Sequence, residues 1–128
     1  MDYYFSKEVS YDFEKAIERV TEELKNEGFG VLTEIDVTST LKKKIDVDFY
    51  NYRILGACNP HFAHKALVKE NKIGTMLPCN VIVQERKPGL VEISAVNPIA
   101  SMAEVNNEGL KDIANEIKEM LQNVIDRV

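Results

Sequence analysis

Apolar residues recur at helical spacing in a segment close to the start of the chain. They fall three or four positions apart, the spacing of one face of an α-helix, at Phe13, Ala16, Ile17, Val20 and Leu24. Ser10 or Asp12 would cap the start of this helix, because short polar side chains accept hydrogen bonds from its free amides. Gly28 and Gly30 would end it, since glycine accepts the left-handed conformation common at helix ends.

A second and longer stripe predicts a C-terminal amphipathic helix. Asn107 would cap it, and Glu108 would lie near its positive end. The stripe consists of Leu110, Ile113, Ala114, Ile117, Leu121, Val124 and Ile125. A stripe of this kind faces the core of a globular domain.

Between these helices the pattern changes to short β-prone runs. Residues 3–10 alternate, and residues 31–37 and 52–58 are rich in branched apolar side chains, which predicts three strands. Residues 79–96 read as two further strands joined by the turn Lys87-Pro88-Gly89. This last segment predicts a β-hairpin.

Two shorter helices are predicted after the second and third strands. Thr38 or Ser39 would cap the first, with Leu41 and Ile45 on its buried face. The second would begin at 59–60, where Asn is a capping residue and Pro suits the first helical position.

The second short helix has an expected inward face of Ala63, Ala66 and Leu67. The element order is then β-α-β-(α)-β-(α)-β-β-α within a single domain, residues 1–128. Helices packed on one face of a largely antiparallel sheet bury such elements, so the predicted fold class is α+β.

Composition narrows the class of function. The 128 residues are 45% apolar and 29% charged, with a net charge of −5, which argues against nucleic-acid binding. No apolar run approaches a membrane span, and the first residues lack a signal peptide. We therefore expect no membrane association and a cytoplasmic protein whose two cysteines are reduced.

The candidate chemistry concentrates in GACNPHFAHKAL, residues 56–67, which hold one cysteine and both histidines. Cys58 ends a strand immediately before a helix start, where the helix dipole and free amides stabilise a thiolate. The alternative is that Cys58 is a small apolar residue that packs at the junction. The sequence leaves both interpretations open.

Cys79 begins the hairpin, and in an antiparallel sheet it could neighbour Cys58 at the end of another strand. If the two sulfurs meet, a soft-metal site or a reversible disulfide follows. His61, in the first turn of the short helix, would be a third ligand for zinc or copper. Met102 could add a thioether to copper(I), although methionine is more often a core residue.

Three stretches together resemble domain-of-unknown-function family 302: GFGVLTEIDV at 28–37, RILGACNP at 53–60 and LPCNVIV at 77–83. Pro98 and Met102 after the hairpin add to the likeness. The resemblance implies a small prokaryotic cytosolic protein with a TATA-binding-protein-like α+β fold, often dimeric and without DNA binding. Its motif positions are Gly28, Gly30, Cys58, Asn59, Pro60, Pro78 and Cys79.

These observations leave three classes of function open. The first is a module that binds a small ligand or soft metal through Cys58, Asn59 and Cys79. The second is a thiol-redox enzyme that cycles a Cys58–Cys79 disulfide. The third is a homodimeric interaction protein that performs no chemistry and associates through an exposed apolar strip. No catalytic residue is assigned.

Overall fold

The computed structural model describes residues 2–128 and has the predicted α+β class. There are five strands and five α-helices, with a short 3-10 helix at Ile73–Met76. The strands are β1 (Tyr4–Val9), β2 (Gly30–Asp36), β3 (Asn51–Cys58), β4 (Cys79–Lys87) and β5 (Leu90–Val96). The helices are α1 (Phe13–Asn26), α2 (Val37–Ile45), α3 (Pro60–Lys69), α4 (Pro98–Ser101) and α5 (Glu108–Arg127).

The five strands form one sheet in the order β1-β5-β4-β3-β2, and every neighbouring pair is antiparallel. The predicted hairpin is confirmed as β4 and β5, and Gly89 takes a positive φ of 81° in its turn. The central strand β4 pairs with β3 so that Ala57 lies opposite Cys79.

Helices α1 and α5 pack on one face of the sheet. Asp12 caps α1 by accepting a hydrogen bond from the Lys15 amide at 2.8 Å, and Asn107 caps α5 through the Gly109 amide. All seven apolar residues of the C-terminal stripe are buried, as predicted. They meet the alternate side chains of the central strands, among them Val81, Val83, Val91 and Ile93.

The predicted buried face of α2 is wrong. Leu41 of α2 is only half-buried and Ile45 is 63% exposed. Asp36, rather than Thr38 or Ser39, caps that helix. Thr38 instead ties α2 to the start of β3, because its hydroxyl donates to the Tyr50 carbonyl and accepts from the Tyr52 amide. The helix therefore lies beside the sheet and does not cover it.

The inward face of α3 is also narrower than expected. Ala66 is buried and Ala63 half-buried, but Leu67 is 44% exposed. Phe62 packs against the core in its place. Phe62, Ala63 and Ala66 therefore form the contact surface of α3.

Among residues 2–128, no helix packs across the centre of the opposite face of the sheet. Alternate residues of every strand lie on this open face: Tyr4, Ser6, Glu8, Ile35, Tyr52, Ile54, Ile82, Gln84, Glu92 and Ser94. Over residues 2–128, no helix combines the length and hydropathy needed to cross a bilayer.

Candidate functional site

Cys58 and Cys79 come together at one end of the paired strands β3 and β4. The register sets Ala57 directly opposite Cys79, while Cys58 pairs with Gly30 of β2. Successive side chains of a strand leave opposite faces, so the cysteines are near neighbours without forming a facing cross-strand pair. Both are free thiols.

The two cysteines line a single small cavity of about 20 Å³. This volume is roughly that of one water molecule, so the cavity excludes an organic ligand. The walls are mostly apolar, and they include a third sulfur-bearing residue, Met102, which is only 6% exposed. The other lining residues are Phe29, Ala57, Asn59, Phe62, Ala63, Ala66, Leu77 and Ile117.

The two thiols differ in their exposure to solvent. Cys79 is 6% exposed, and burial together with the neighbouring Cys58 raises the pKa of its thiol to about 11. Cys58 is half-buried. At neutral pH the sulfur of Cys79 is therefore protonated.

Asn59 has the architectural role that its position predicts. Its Oδ1 accepts a hydrogen bond from the Phe62 amide at 3.4 Å, and Pro60 occupies the first turn of α3. The residue is 9% exposed. Asn59 therefore fixes the angle at which the chain turns from Cys58 into the helix.

The histidines are not part of the cavity wall. His61 and His64 both lie exposed on α3. Within the described residues, no three His, Cys, Asp or Glu side chains are grouped so that they could hold a metal ion. The expected set of Cys58, Cys79 and His61 is therefore not brought together as a three-ligand site.

Gly56 allows Pro78, which precedes Cys79, to pack closely against β3. A Cβ built on Gly56 would lie 2.8 Å from Cγ of Pro78 and would also collide with Oγ1 of Thr33. Any larger residue would push Pro78, and with it Cys79, away from β3. The glycine is therefore a packing requirement of the cysteine site.

A second candidate site, absent from the sequence-based expectations, lies at the other end of β3. Arg53 has a side chain that is 16% exposed and forms ion pairs with Glu34 at 2.7 Å and Glu14 at 3.2 Å. Its guanidinium lies 5.5 Å from the centre of the Phe13 ring. The available signal was an arginine inside an otherwise apolar strand, which is uncommon without charged partners.

The chain matches a known protein family. The family model described as "Domain of unknown function DUF302" matches residues 5–128. The chain belongs to the DUF302 family. The predicted resemblance is thus confirmed over nearly the whole sequence.

A solved DUF302 structure agrees closely with this one. The crystal structure of an uncharacterized conserved DUF302 protein from Bacillus stearothermophilus is 34% identical to the chain and superimposes with a TM-score of 0.92. The similarity covers 99% of this chain and 98% of the Bacillus chain. No curated protein matches the sequence.

Proposed function

We propose that this DUF302 protein is a copper(I)-binding module whose ligands are Cys58, Cys79 and Met102. The observation that carries the proposal is that three sulfur-bearing side chains line one cavity of about 20 Å³. Thiolate and thioether ligands select soft metals, copper(I) among them. The cavity is large enough for a single ion and too small for an organic molecule.

Copper(I) fits this donor set better than zinc. Structural zinc sites use four nitrogen or sulfur ligands, and residues 2–128 offer no group of even three His, Cys, Asp or Glu side chains suited to a metal. Copper(I) accepts low coordination numbers and a thioether. His61, exposed on α3, is left out of the proposed ligand set.

Binding would release protons, because the ligating form of cysteine is the thiolate. The pKa of Cys79 is raised to about 11 by burial and by Cys58. The metal must displace that proton at neutral pH. The apparent affinity for copper(I) should therefore increase with pH between 6 and 9.

The test is an anaerobic titration with copper(I) against bicinchoninate as a coloured competitor. We expect one tightly held copper(I) per chain, loss of tight binding in Cys58→Ala and Cys79→Ala, and weaker binding in Met102→Leu. Met76→Leu is the matched control, since Met76 is 40% exposed and outside the cavity. Copper binding that survives Cys79→Ala, or no binding by the folded protein, would refute the proposal.

A second candidate function is self-association through the open face of the sheet. The face is apolar and aromatic at its centre, where Tyr52, Ile54 and Ile82 are half-buried and Tyr4 is 42% exposed. The charged strand residues of this face include Glu8, Arg86 and Glu92. Large apolar patches of this kind mark association sites.

The dimensions of the open face suit a second copy of the chain. Five strands about 4.8 Å apart and six residues long cover roughly 24 by 20 Å, a projected area of about 480 Å², so the rim around the sheet would have to contribute the rest of the ~800 Å² that each partner buries in a standard interface. The Tyr52 hydroxyl stays neutral there, because burial, and then Tyr50 and Tyr3, raise its pKa. A two-fold dimer would bring the aromatic centres of two faces together.

Sedimentation velocity tests the dimer. We expect a dimer for the unmodified chain and a monomer for Ile82→Glu. Val68→Glu is the matched control, because Val68 is 72% exposed on α3, away from the sheet face. A monomeric unmodified chain, or a dimer that persists in Ile82→Glu, would exclude association through this face.

A further inference from the structure

An open cleft lies around Arg53, at the end of β3 remote from the cysteines. It has a volume of about 710 Å³, within the range of small-molecule sites. Its walls come from the start of α1, the first part of α2, the loop from α2 into β3, and residues of the strands β3 and β4. The cysteine cavity, by contrast, has a volume of only about 20 Å³.

The charges that line the cleft are mainly negative. Five carboxylates face two cations, Lys42 and Arg53. The carboxylates belong to Asp12, Glu14, Asp36, Asp48 and Glu85. An anionic ligand would therefore enter an unfavourable field, whereas a cation would be attracted.

Both cations are already used inside the protein. Arg53 pairs with Glu14, Glu34 and Asp36, and Lys42 pairs with Asp46 at 2.9 Å and Asp48 at 3.1 Å. Burial leaves Nε of Arg53 without a hydrogen-bond partner. A ligand anion would have to displace a carboxylate from either cation before it could bind.

Two carboxylates of the cleft have no cationic side-chain partner in the described part of the chain. Asp12 accepts from the Lys15 amide, and Glu85 accepts from Asn51 Nδ2 at 3.0 Å and from the Gly89 amide at 3.0 Å. These donors are neutral, and neither carboxylate has an ion pair within residues 2–128. Asp12 and Glu85 can therefore bind a positive group of a ligand.

An aromatic wall lies between these charges. Phe49 is 38% exposed and lines the cleft, while Tyr50 stacks on its ring at 4.1 Å between centres. Val47 extends the apolar surface beside it. Aromatic rings attract ammonium groups and also pack against the carbon chain that carries them.

We infer that this cleft binds a small organic cation, of the aliphatic amine class. The ammonium group would pair with Asp12 or Glu85, and its carbon chain would lie against Phe49 and Val47. Arg53 is a positioning residue: its ion pairs hold Glu14 and Asp36 in the cleft wall. The site is separate from the cysteine cavity and does not depend on copper.

The inference is tested with three probes that share a four-carbon chain: 1,4-diaminobutane, 1,4-butanediol and succinate. Each is titrated into the isotope-labelled protein, and amide shifts are followed by NMR. We expect saturable shifts around Asp12, Asp48, Phe49 and Gly89 with the diamine alone. Saturation by the diol or succinate, or diamine shifts that spread over the surface without saturating, would overturn the inference.

Variants then identify which carboxylate binds the diamine. Glu85→Gln should weaken diamine binding about fivefold, in keeping with the modest strength of a partly exposed ion pair. Phe49→Leu should also weaken it. Glu119→Gln, on the exposed side of α5, removes an equal charge far from the cleft and should leave affinity unchanged. If Glu85→Gln and Glu119→Gln weakened diamine binding equally, the effect would come from the net charge of the protein, and the proposed site would be refuted.

Discussion

Strand β3 connects two sites of opposite character. At its start, Arg53 lies in an open cleft of about 710 Å³, where it pairs with Glu14 and Asp36. At its end, Cys58 borders a cavity of about 20 Å³ whose walls are mostly apolar. The same strand supports both because its two ends differ in how much of the helical layer covers them.

The difference shows how burial determines whether a side chain is charged or neutral. In the cleft, solvent and neighbouring carboxylates keep the arginine charged. In the cavity, burial favours the neutral thiol and raises the pKa of Cys79 to about 11. A soft metal is a partner that such sulfurs can accept, since it replaces the proton directly.

The largest effect should come from removing the helical cover of the cavity. Ile117 of α5 lines the cavity and is 4% exposed, so Ile117→Ala should lower the free energy of unfolding by about 2–5 kcal/mol. Urea denaturation measures this cost. Ile35→Ala, at a position 47% exposed, should cost less than about 1 kcal/mol; similar costs at both positions would contradict the assigned core.

The second effect is a pH dependence confined to the cavity. In the folded protein the pKa of Cys79 is raised from 9.0 to about 11. The unfolded chain therefore loses this proton at lower pH than the folded chain. The associated stability, on the order of 2 kcal/mol, is present below pH 9 and is lost as pH rises through the folded value.

Lysines and tyrosines also titrate in that range, so the comparison is with Cys79→Ala. The free energy of unfolding of the unmodified protein should fall more steeply between pH 9 and 11 than that of the variant. Parallel curves would show that Cys79 ionises as easily in the folded state as in the unfolded chain.

At the cleft end, Arg53→Met should cost about 1–2 kcal/mol. The methionine keeps part of the contact with Phe13 but loses the ion pairs, whose partners Glu14 and Glu34 are 75% and 47% exposed and therefore contribute little each. The cost, measured by urea denaturation, should shrink in 1 M NaCl. A cost independent of salt would assign the role of Arg53 to packing alone.

The smallest effect is expected at the junction between Cys58 and α3. Asn59→Ala removes the cap on the Phe62 amide and should cost about 1 kcal/mol, whereas Asn59→Asp keeps an acceptor and should cost less. Thermal unfolding of the two variants makes the comparison. Equal losses would mean that the cap contributes nothing and that the amide nitrogen of Asn59 matters instead.

Much of the fold could be predicted from residues whose signals are local. The stripe that starts at Leu110 needs only helical spacing, and Asn59-Pro60 needs only capping chemistry. The short helix α4 was missed because the four residues Pro98–Ser101 are too few to show a period. The predicted burial of Leu41 and Ile45 is wrong, because apolar residues at helical spacing become buried only where another element covers the helix.

The two sites were less accessible to sequence reasoning. Cys58 and Cys79 were expected as neighbours from strand ends, but a slip of one residue changes which face a side chain occupies, so their geometry required the register. The Arg53 cleft combines Asp12, Asp36 and Glu85 from segments far apart in the chain. No local pattern marks residues that only the sheet order brings together.

The most direct test of the sulfur site is X-ray absorption at the copper edge of the copper(I)-loaded protein. Coordination by Cys58, Cys79 and Met102 predicts sulfur neighbours alone, with one fewer in Met102→Leu and no change in Met76→Leu. Nitrogen or oxygen neighbours, or a spectrum unaltered in Met102→Leu, would contradict the proposed copper site.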